Sequence, residues 1–367
     1  MKNIRNLPLY ICLIIILNAC SKSNNKPNII DRLITVLPSY QTIPVVNSGD
    51  YADDAVVWIH PSNNDSSFLI GLDKSSNGRL EYFNSNGDRY GATDISKSFN
   101  NLSITYGYSF LGNSEDLVIA SNRTDNKVQF FKINSDTRTL IDITGNCLIG
   151  YEPYGVALYQ NKNNDSLYCF VSQRRAPFNV LQYVVYENQG LIDISLVRTI
   201  QTTSLSEGIY VDERLENLYI AEEDIAIYKY DANPSGGQTR SIVDFVGSEY
   251  IGGSDIEGIG LYYLSDYTGY LIVSIQYDNT FNIYSRQENS FLGSFTIGSV
   301  GDNIDKTEET DGIFVSSTAF TSNFLDGVFI AHDGGANLSR STNYKLVSWK
   351  SIADSLGLQI NSNFNPR

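Results

Sequence analysis

Histidine is almost missing from this sequence: 367 residues contain two, His60 and His332. That scarcity leaves little basis for histidine-based phosphoryl transfer, a Ser-His-Asp triad or a His-rich zinc site, and each histidine reads as a surface or packing residue. Methionine occurs once and cysteine four times. Cys12 and Cys20 fall in the N-terminal segment, which leaves Cys147 and Cys169 as either one disulfide or two buried thiols. Positive charge is also scarce, with 26 Lys and Arg against 41 Asp and Glu and a formal net charge of −15. Nucleic acid and acidic membrane surfaces are poor partners for such a chain unless cations intervene. What the sequence does have is 25 Tyr, 17 Phe and 28 Gly spread along a 42% hydrophobic chain, a balance that leans towards β structure with many turns.

The N-terminus reads as a processing signal. Lys2 and Arg5 precede the apolar run YICLIIIL, which is too short for a stable membrane span, and LNAC follows. A Leu three residues before a Cys, with Ala just before it, resembles a bacterial lipobox, so residues 1–20 are expected to be a lipoprotein signal that leaves Cys20 lipidated. Residues 21–46 begin SKSNNKPN and read as a flexible tether. The folded domain is expected over 47–355, with 356–367 as a tail. The chain is then held at the cell envelope, outside the cytoplasm, by lipid alone.

Self-similarity fixes the expected architecture. FLIGLDKSSNGRLEYF, LVIASNRTDNKVQFFKI, LYCFVSQRRAPFNVLQYVV, LYIAEEDIAIYKY, YLIVSIQYDNTFNIYSR and VFIAHDGGANLSRSTNYKLVSW each hold an apolar strand, a polar break and a second strand. Their starts lie about 50 residues apart, the scale of propeller blades made of four short strands. The expectation is an all-β fold, a six-bladed β-propeller forming a single domain.

A propeller changes the meaning of its polar breaks. Taken alone, Glu222, Glu223 and Asp224 in LYIAEEDIAIYKYD are three charges in a turn, with Glu222 on the opposite side of the extended chain from Glu223. Repeated round an axis, such breaks become one ring of polar groups. Carboxylates also precede other strands: Asp50, Asp53 and Asp54 in DYADDAVVW, Glu207 in SEGIYV, Asp255 and Glu257 in DIEGIGLYY, and Asp305, Glu308, Glu309 and Asp311 in DNIDKTEETDGIFV. Three of these share an acid-Gly pair before an apolar strand.

Two negative charges 4 Å apart repel by about 1 kcal/mol in water and about 4 kcal/mol at an effective dielectric near 20. If Asp53, Asp54, Glu207, Glu223, Glu257 and Asp311 converge, cations must meet them. Oxygen ligands without His or Cys select hard divalent ions, and a flexible many-carboxylate ring favours calcium. Interleaved Lys74, Arg123 and Arg174 suit an anion held by the same ions.

These motifs, together with PYGVALY, IAEEDIAI and its continuation to PSGG, and YKLVSW, make the chain resemble the β-propeller phytases, of the calcium-dependent 3-phytase type, from about Asp50 to Trp349. The resemblance implies a phosphomonoesterase that acts on calcium-complexed myo-inositol hexakisphosphate with several calcium ions, most simply as a monomer. It makes Asp54, Glu207, Glu223, Glu257 and Asp311 ligands of the catalytic cluster, with Asp53 a further member. Lys74, Arg123 and Tyr159 match phosphate-binding positions, Arg174 stands where Lys is usual, and Asp305 and Asp333 match a stabilising calcium site. Within this set, Glu207, Glu223, Asp54, Lys74 and Arg123 are the expected catalytic residues. The chain departs from the family pattern at Ala55 (usually Pro), Ser75 (Lys), Ser103 (often Asp) and Gly335 (an acid). Two other readings remain open at this stage: an inositol-phosphate-binding propeller with weak turnover or none, and a calcium-dependent lactonase or esterase.

Overall fold

The computed structural model describes residues 33–335, 341–361 and 363–367; the lipobox with Cys20 lies outside them. The six expected repeats form six antiparallel meanders, and each blade begins with its innermost strand. Those strands are Ala52–Trp58, Phe99–Phe110, Pro153–Gln160, Ile209–Asp212, Ile256–Tyr263 and Ile313–Ser316. Each inner strand is enclosed by its own blade, its neighbours and the central channel, so most of its positions are buried on both faces. ADDAVVW and IEGIGLYY are buried at every position, carboxylates included.

Between blades the core is aromatic and aliphatic. Trp58, Phe68, Tyr82 and Phe99 join the first blade to the second, and Tyr262, Phe281, Phe329 and Trp349 join the fifth to the sixth. Cys147 and Cys169 lie in the core between the second and third blades as two unpaired buried thiols, which settles the alternative left open by their count. Burial pushes the Cys147 thiol up to about 12, so it packs rather than reacts.

The folded chain begins earlier than the expected tether allows. Leu33–Val36 adds a parallel fifth strand to the fifth blade, beside Ser294–Ile297. Tyr40–Gln41 completes the sixth blade by pairing with Leu346 and Lys345. Both segments are too short to show a period of their own, and their partners lie some 260 to 305 residues away in sequence. The expected C-terminal tail is also docked. Phe364 stacks on Tyr263 with ring centroids 4.6 Å apart, and the Arg367 guanidinium donates to Asp116 Oδ2 at 2.5 Å.

The ring closes where the last blade meets the first. Tyr344 is fully buried; its hydroxyl accepts from Leu72 N at 3.0 Å and lies 2.8 Å from Leu72 O and 3.0 Å from Asp54 O. Gly71 is required beneath that ring, because a Cβ there would sit 2.4 Å from Tyr344 Cε2. Tyr344→Phe strands backbone groups in a dry seam and is expected to cost about 1–3 kcal/mol. Calorimetry should show a lower melting temperature, and an unchanged one would mean that this hydroxyl does not seal the ring.

Candidate functional site

The acid-Gly pairs turn out to be spacers between blades. A Cβ on Gly155 would stand 2.0 Å from the Glu207 carbonyl oxygen, and one on Gly208 would stand 2.0 Å from that of Glu257. Gly258 meets the Asp311 carbonyl oxygen at 2.7 Å and Gly312 meets Asp54 Cα at 2.6 Å by the same measure. In each case the obstacle is backbone of the next blade, which cannot rotate aside. Glycine therefore lets each inner strand press against the acid of its neighbour, and the acids are delivered to one channel mouth.

Glu207, Glu223 and Glu257 place carboxylate oxygens within 4.8 Å of one another, all three residues being buried. A second group on the same spacing joins Asp50, Asp311 and His332. Lys74 serves the second set and Asp53: its ammonium is 3.0 Å from Asp311 Oδ2, 3.3 Å from Asp50 Oδ2 and 3.8 Å from Asp53 Oδ1. Asp53 Oδ1, Glu223 Oε1 and Glu257 Oε2 are buried with no hydrogen-bond donor among the described residues. Orphaned buried carboxylate oxygens that face one another are what a divalent cation satisfies, so the residues present fit one.

The proton affinities agree with that demand. Burial first, and then neighbouring carboxylates, push Glu207 up to about 8 and Glu223 up to about 7. Burial also raises Asp53 and Glu257 well above the carboxylate range, with Glu207 and Glu223 respectively as the strongest repelling neighbours. Asp311 goes the other way. Burial pushes it up, but His332 and Lys74 hold it below the usual aspartate range. Burial keeps His332 itself below its ordinary 6.5, so near neutral pH the lasting positive neighbour of Asp311 is Lys74. Burial opposes the Lys74 ammonium, yet Asp53, Asp311, Asp50 and Glu207 together keep it charged.

Beside this acidic mouth lies a cationic one. Glu207 Oε1 accepts from Asn100 Nδ2 at 2.6 Å, and Asn100 Oδ1 accepts in turn from Arg123 Nη1. The Tyr154 phenol lies by Glu207 and Glu223 and lowers the proton affinity of both, and the Arg174 guanidinium lies over its ring, 5.9 Å from the centroid. Thus Lys74, Arg123 and Arg174 come to the site from three different blades.

Tyr159, expected here, is at the other end of its strand. Its hydroxyl meets Glu216 Oε1 at 3.2 Å and Asn161 Nδ2 at 2.9 Å, and the aromatic of the same motif that reaches the carboxylates is Tyr154. Five residues of extended strand separate the two, about 17 Å at some 3.3 Å per residue. Asp54 borders the channel, but its oxygens are engaged by the amides of Ala55 and Leu102, both at 2.9 Å, which ties the first blade to the second. Asp305 and Asp333 do come together, around a cation that the chain supplies: the buried Lys345 ammonium is 2.6 Å from Asp305 Oδ1 and 2.7 Å from Asp333 Oδ2.

Glu222 is no solvated turn residue. It is fully buried, with Oε2 accepting from the amide and hydroxyl of Thr203 at 2.8 Å each and Oε1 from Arg240 at 2.7 Å. His60 is a local packing residue, as expected: its Nδ1 accepts from Asn63 N at 3.0 Å and its ring meets Trp58 edge-on. His332, read the same way, instead sits in the site. The sequence reading also missed Asp50, Asn100 and Glu152 as site residues. Asp50 and His332 were visible beside assigned residues in DYADDAVVW and FIAHDG. Asn100 had no motif of its own.

Six blades round a channel, with one mouth lined by carboxylates and rimmed by Lys and Arg, define a β-propeller whose acidic mouth fits a divalent cation. The sequence profile of the phytase family matches residues 5–367, and the chain belongs to that family of phytate-hydrolysing phosphatases. It is 33% identical over 341 residues to a 3-phytase of Bacillus subtilis (strain 168), covering 89% of this chain and 87% of that one. Among solved structures, a luciferin-regenerating enzyme superposes with a TM-score of 0.52 at 9% identity over 84% of this chain and 95% of that one. A protein of unknown function from Bacteroides thetaiotaomicron VPI-5482 gives 0.51 at 8% identity over 82% and 70%. At those identities the two structures share the fold alone.

The raised carboxyls make a prediction for the chelated protein. Their folded pKa values lie above unfolded ones, so the folded state holds extra protons and loses stability as pH rises through the folded values. In chelator the melting temperature is expected to fall between about pH 5 and about pH 8, and calcium is expected to flatten the fall. A chelated protein equally stable across that interval would show that the carboxylates are not crowded as described.

Proposed function

We propose that this protein releases phosphate from myo-inositol hexakisphosphate in a calcium-dependent reaction at the Glu207-Glu223-Glu257 mouth. The observation that carries the reading is the pairing of orphaned, buried carboxylate oxygens with a guanidinium rim one hydrogen-bonded residue away. Asp53, Glu207, Glu223, Glu257 and Asp311 would hold calcium ions, with Asp54 buttressing them from the neighbouring seam. When bound, such ions neutralise phosphoryl oxygens and lower the pKa of an attacking water.

The chain's own residues supply the rest. Arg123 and Arg174 orient the phosphate through charge-assisted hydrogen bonds, and each is itself held, Arg123 by Asn100 and Arg174 by Glu152 and the Tyr154 ring. Lys74 keeps Asp311 ionised and balances part of the ring's charge. No side-chain nucleophile is needed. The substrate is a small polyanion, and the guanidinium rim speaks against a lactone, which has no charge for it to meet.

Glu223→Gln is the sharpest test. It removes one charge from the ring and shifts groups that position the reaction, so turnover of phytate in calcium is expected to drop by about a hundredfold. Added calcium should restore part of the loss if occupancy causes it. Glu222→Gln, by contrast, breaks the buried link to Arg240 and is expected to lower the melting temperature with turnover per folded molecule retained. If Glu223→Gln leaves phosphate release intact, or if chelation does, the carboxylate ring is not the catalytic centre.

The reading extends to location. Lipid on Cys20, with a tether ending near Leu33 where the first strand begins, would hold the propeller on a membrane surface outside the cytoplasm. Cys20→Ala is expected to release soluble protein or leave an unprocessed precursor, and unchanged membrane fractionation would defeat the idea.

A further inference from the structure

Glu152 holds Arg174, and two further guanidiniums converge on the same carboxylate. Its Oε1 lies 2.8 Å from Arg174 Nη1 and 3.3 Å from Arg123 Nε, and its Oε2 lies 3.2 Å from Arg175 Nε. Three guanidiniums on one carboxylate leave two positive charges over, in a chain whose net charge is −15. The match is also incomplete: Arg123 Nε is buried and, although within ion-pair distance of Glu152, is not aligned for a hydrogen bond with any described group. A carboxylate has two oxygens and one charge, whereas a phosphate monoester offers three oxygens and nearly two charges to the same forks.

The three arginines differ in setting. The side chains of Arg123 and Arg174 are 19% and 39% exposed and face the carboxylate ring through Asn100 and Tyr154. That of Arg175 is 79% exposed and holds the opposite carboxylate oxygen from the other two. Backbone bonds fix the loop that carries the pair, from Arg174 N to Glu152 O at 3.1 Å and from Phe178 N to Arg175 O at 3.1 Å.

We propose that Glu152 is an internal anion which the phosphate of the substrate displaces from Arg123 and Arg174, and that Arg175 is the counter-ion which retains Glu152 once it is displaced. The inference rests on the phosphate-releasing reading above and adds to it a positioning pair, Glu152 and Arg175. In the free protein Glu152 keeps the two inner guanidiniums together and oriented. On binding, the phosphate takes them over and the carboxylate turns to Arg175, so neither charge of that outer pair is left without a partner. Glu152 thereby competes with substrate, and Arg175 weakens the competition.

The test is a double-mutant cycle in the full chain with calcium present, read as KM and kcat for phytate and as affinity for myo-inositol hexakissulfate, a hexa-anion that releases no phosphate. Glu152→Gln removes the competitor and is expected to lower KM and tighten hexakissulfate binding by roughly threefold or more. Arg175→Ala is expected to raise KM by a similar factor in the parent chain and to have no effect in the Glu152→Gln background. An equal cost of Arg175→Ala in both backgrounds would mean that Arg175 meets the substrate directly, and the proposal would fall. Weaker hexakissulfate binding in Glu152→Gln at an unchanged melting temperature would overturn it as well. Failure of the underlying reading looks different: the parent protein itself would bind calcium but neither release phosphate nor bind hexakissulfate.

Discussion

Carboxylates that face one another out of water repel, and in this propeller the repulsion is contained by the backbone of the next blade. Glu207, Glu257 and Asp311 each precede a glycine, and the carbonyls of all three press on a glycine of the preceding blade at distances a side chain would not permit. The acids cannot retreat from the channel without prising inner strands apart, and Ala52–Trp58 and Ile256–Tyr263 are buried at every position. The energy of blade packing is what keeps the charges together. The site's demand for cations follows from that confinement.

The protein meets part of the demand with its own ammonium groups. Lys74 does so among Asp50, Asp53 and Asp311, and Lys345 does so among Asp305, Asp333, Gln41 and Asn343. A tethered ammonium fixes geometry without an exchangeable ion, which suits a closing seam: Lys345 reaches Gln41 at 2.6 Å and so holds the N-terminal strand in the sixth blade. At Glu207, Glu223 and Glu257 no described lysine plays that part, and two carboxylate oxygens are left without a donor. One kind of group, a buried acid, is thus used in two ways according to whether a lysine can reach it.

The parts legible in the sequence were those that repeat. Six copies of a strand-break-strand pattern give the blade number and bring Asp53, Glu207, Glu223, Glu257 and Asp311 to one mouth, because equivalent positions in equivalent blades share an end of the axis. What occurs once was misplaced. Tyr159 and Tyr154 lie in the same strand and both are plausible from PYGVALY, but only the register of the strand says which end each occupies. Leu33–Val36 and Tyr40–Gln41 carry too few residues for a pattern, and their strand character comes wholly from partners in the last two blades. Glu222 looked solvated because charge usually is; Thr203, Ser204 and Arg240, which satisfy it, come from outside its own hairpin turn.

The turn and site readings of Glu222, Glu223 and Asp224 prove compatible. The chain does reverse there, with Ile225 N bonded to Glu222 O at 2.8 Å. The same tight reversal divides the three acids by direction: Glu222 inward to Thr203 and Arg240, Glu223 to the channel mouth, Asp224 to the Ser204 hydroxyl and solvent. A turn at a blade end can therefore do what a regular strand cannot, presenting adjacent residues to three environments instead of two. Glu222 fixes the turn to the preceding loop, and that anchorage leaves Glu223 little freedom to swing away from Glu207 and Glu257. Pre-organisation of the ring is then a property of the blade ends as much as of the inner strands, which is how Glu222, turned away from the channel, can fix the place of Glu223 beside Glu207 and Glu257.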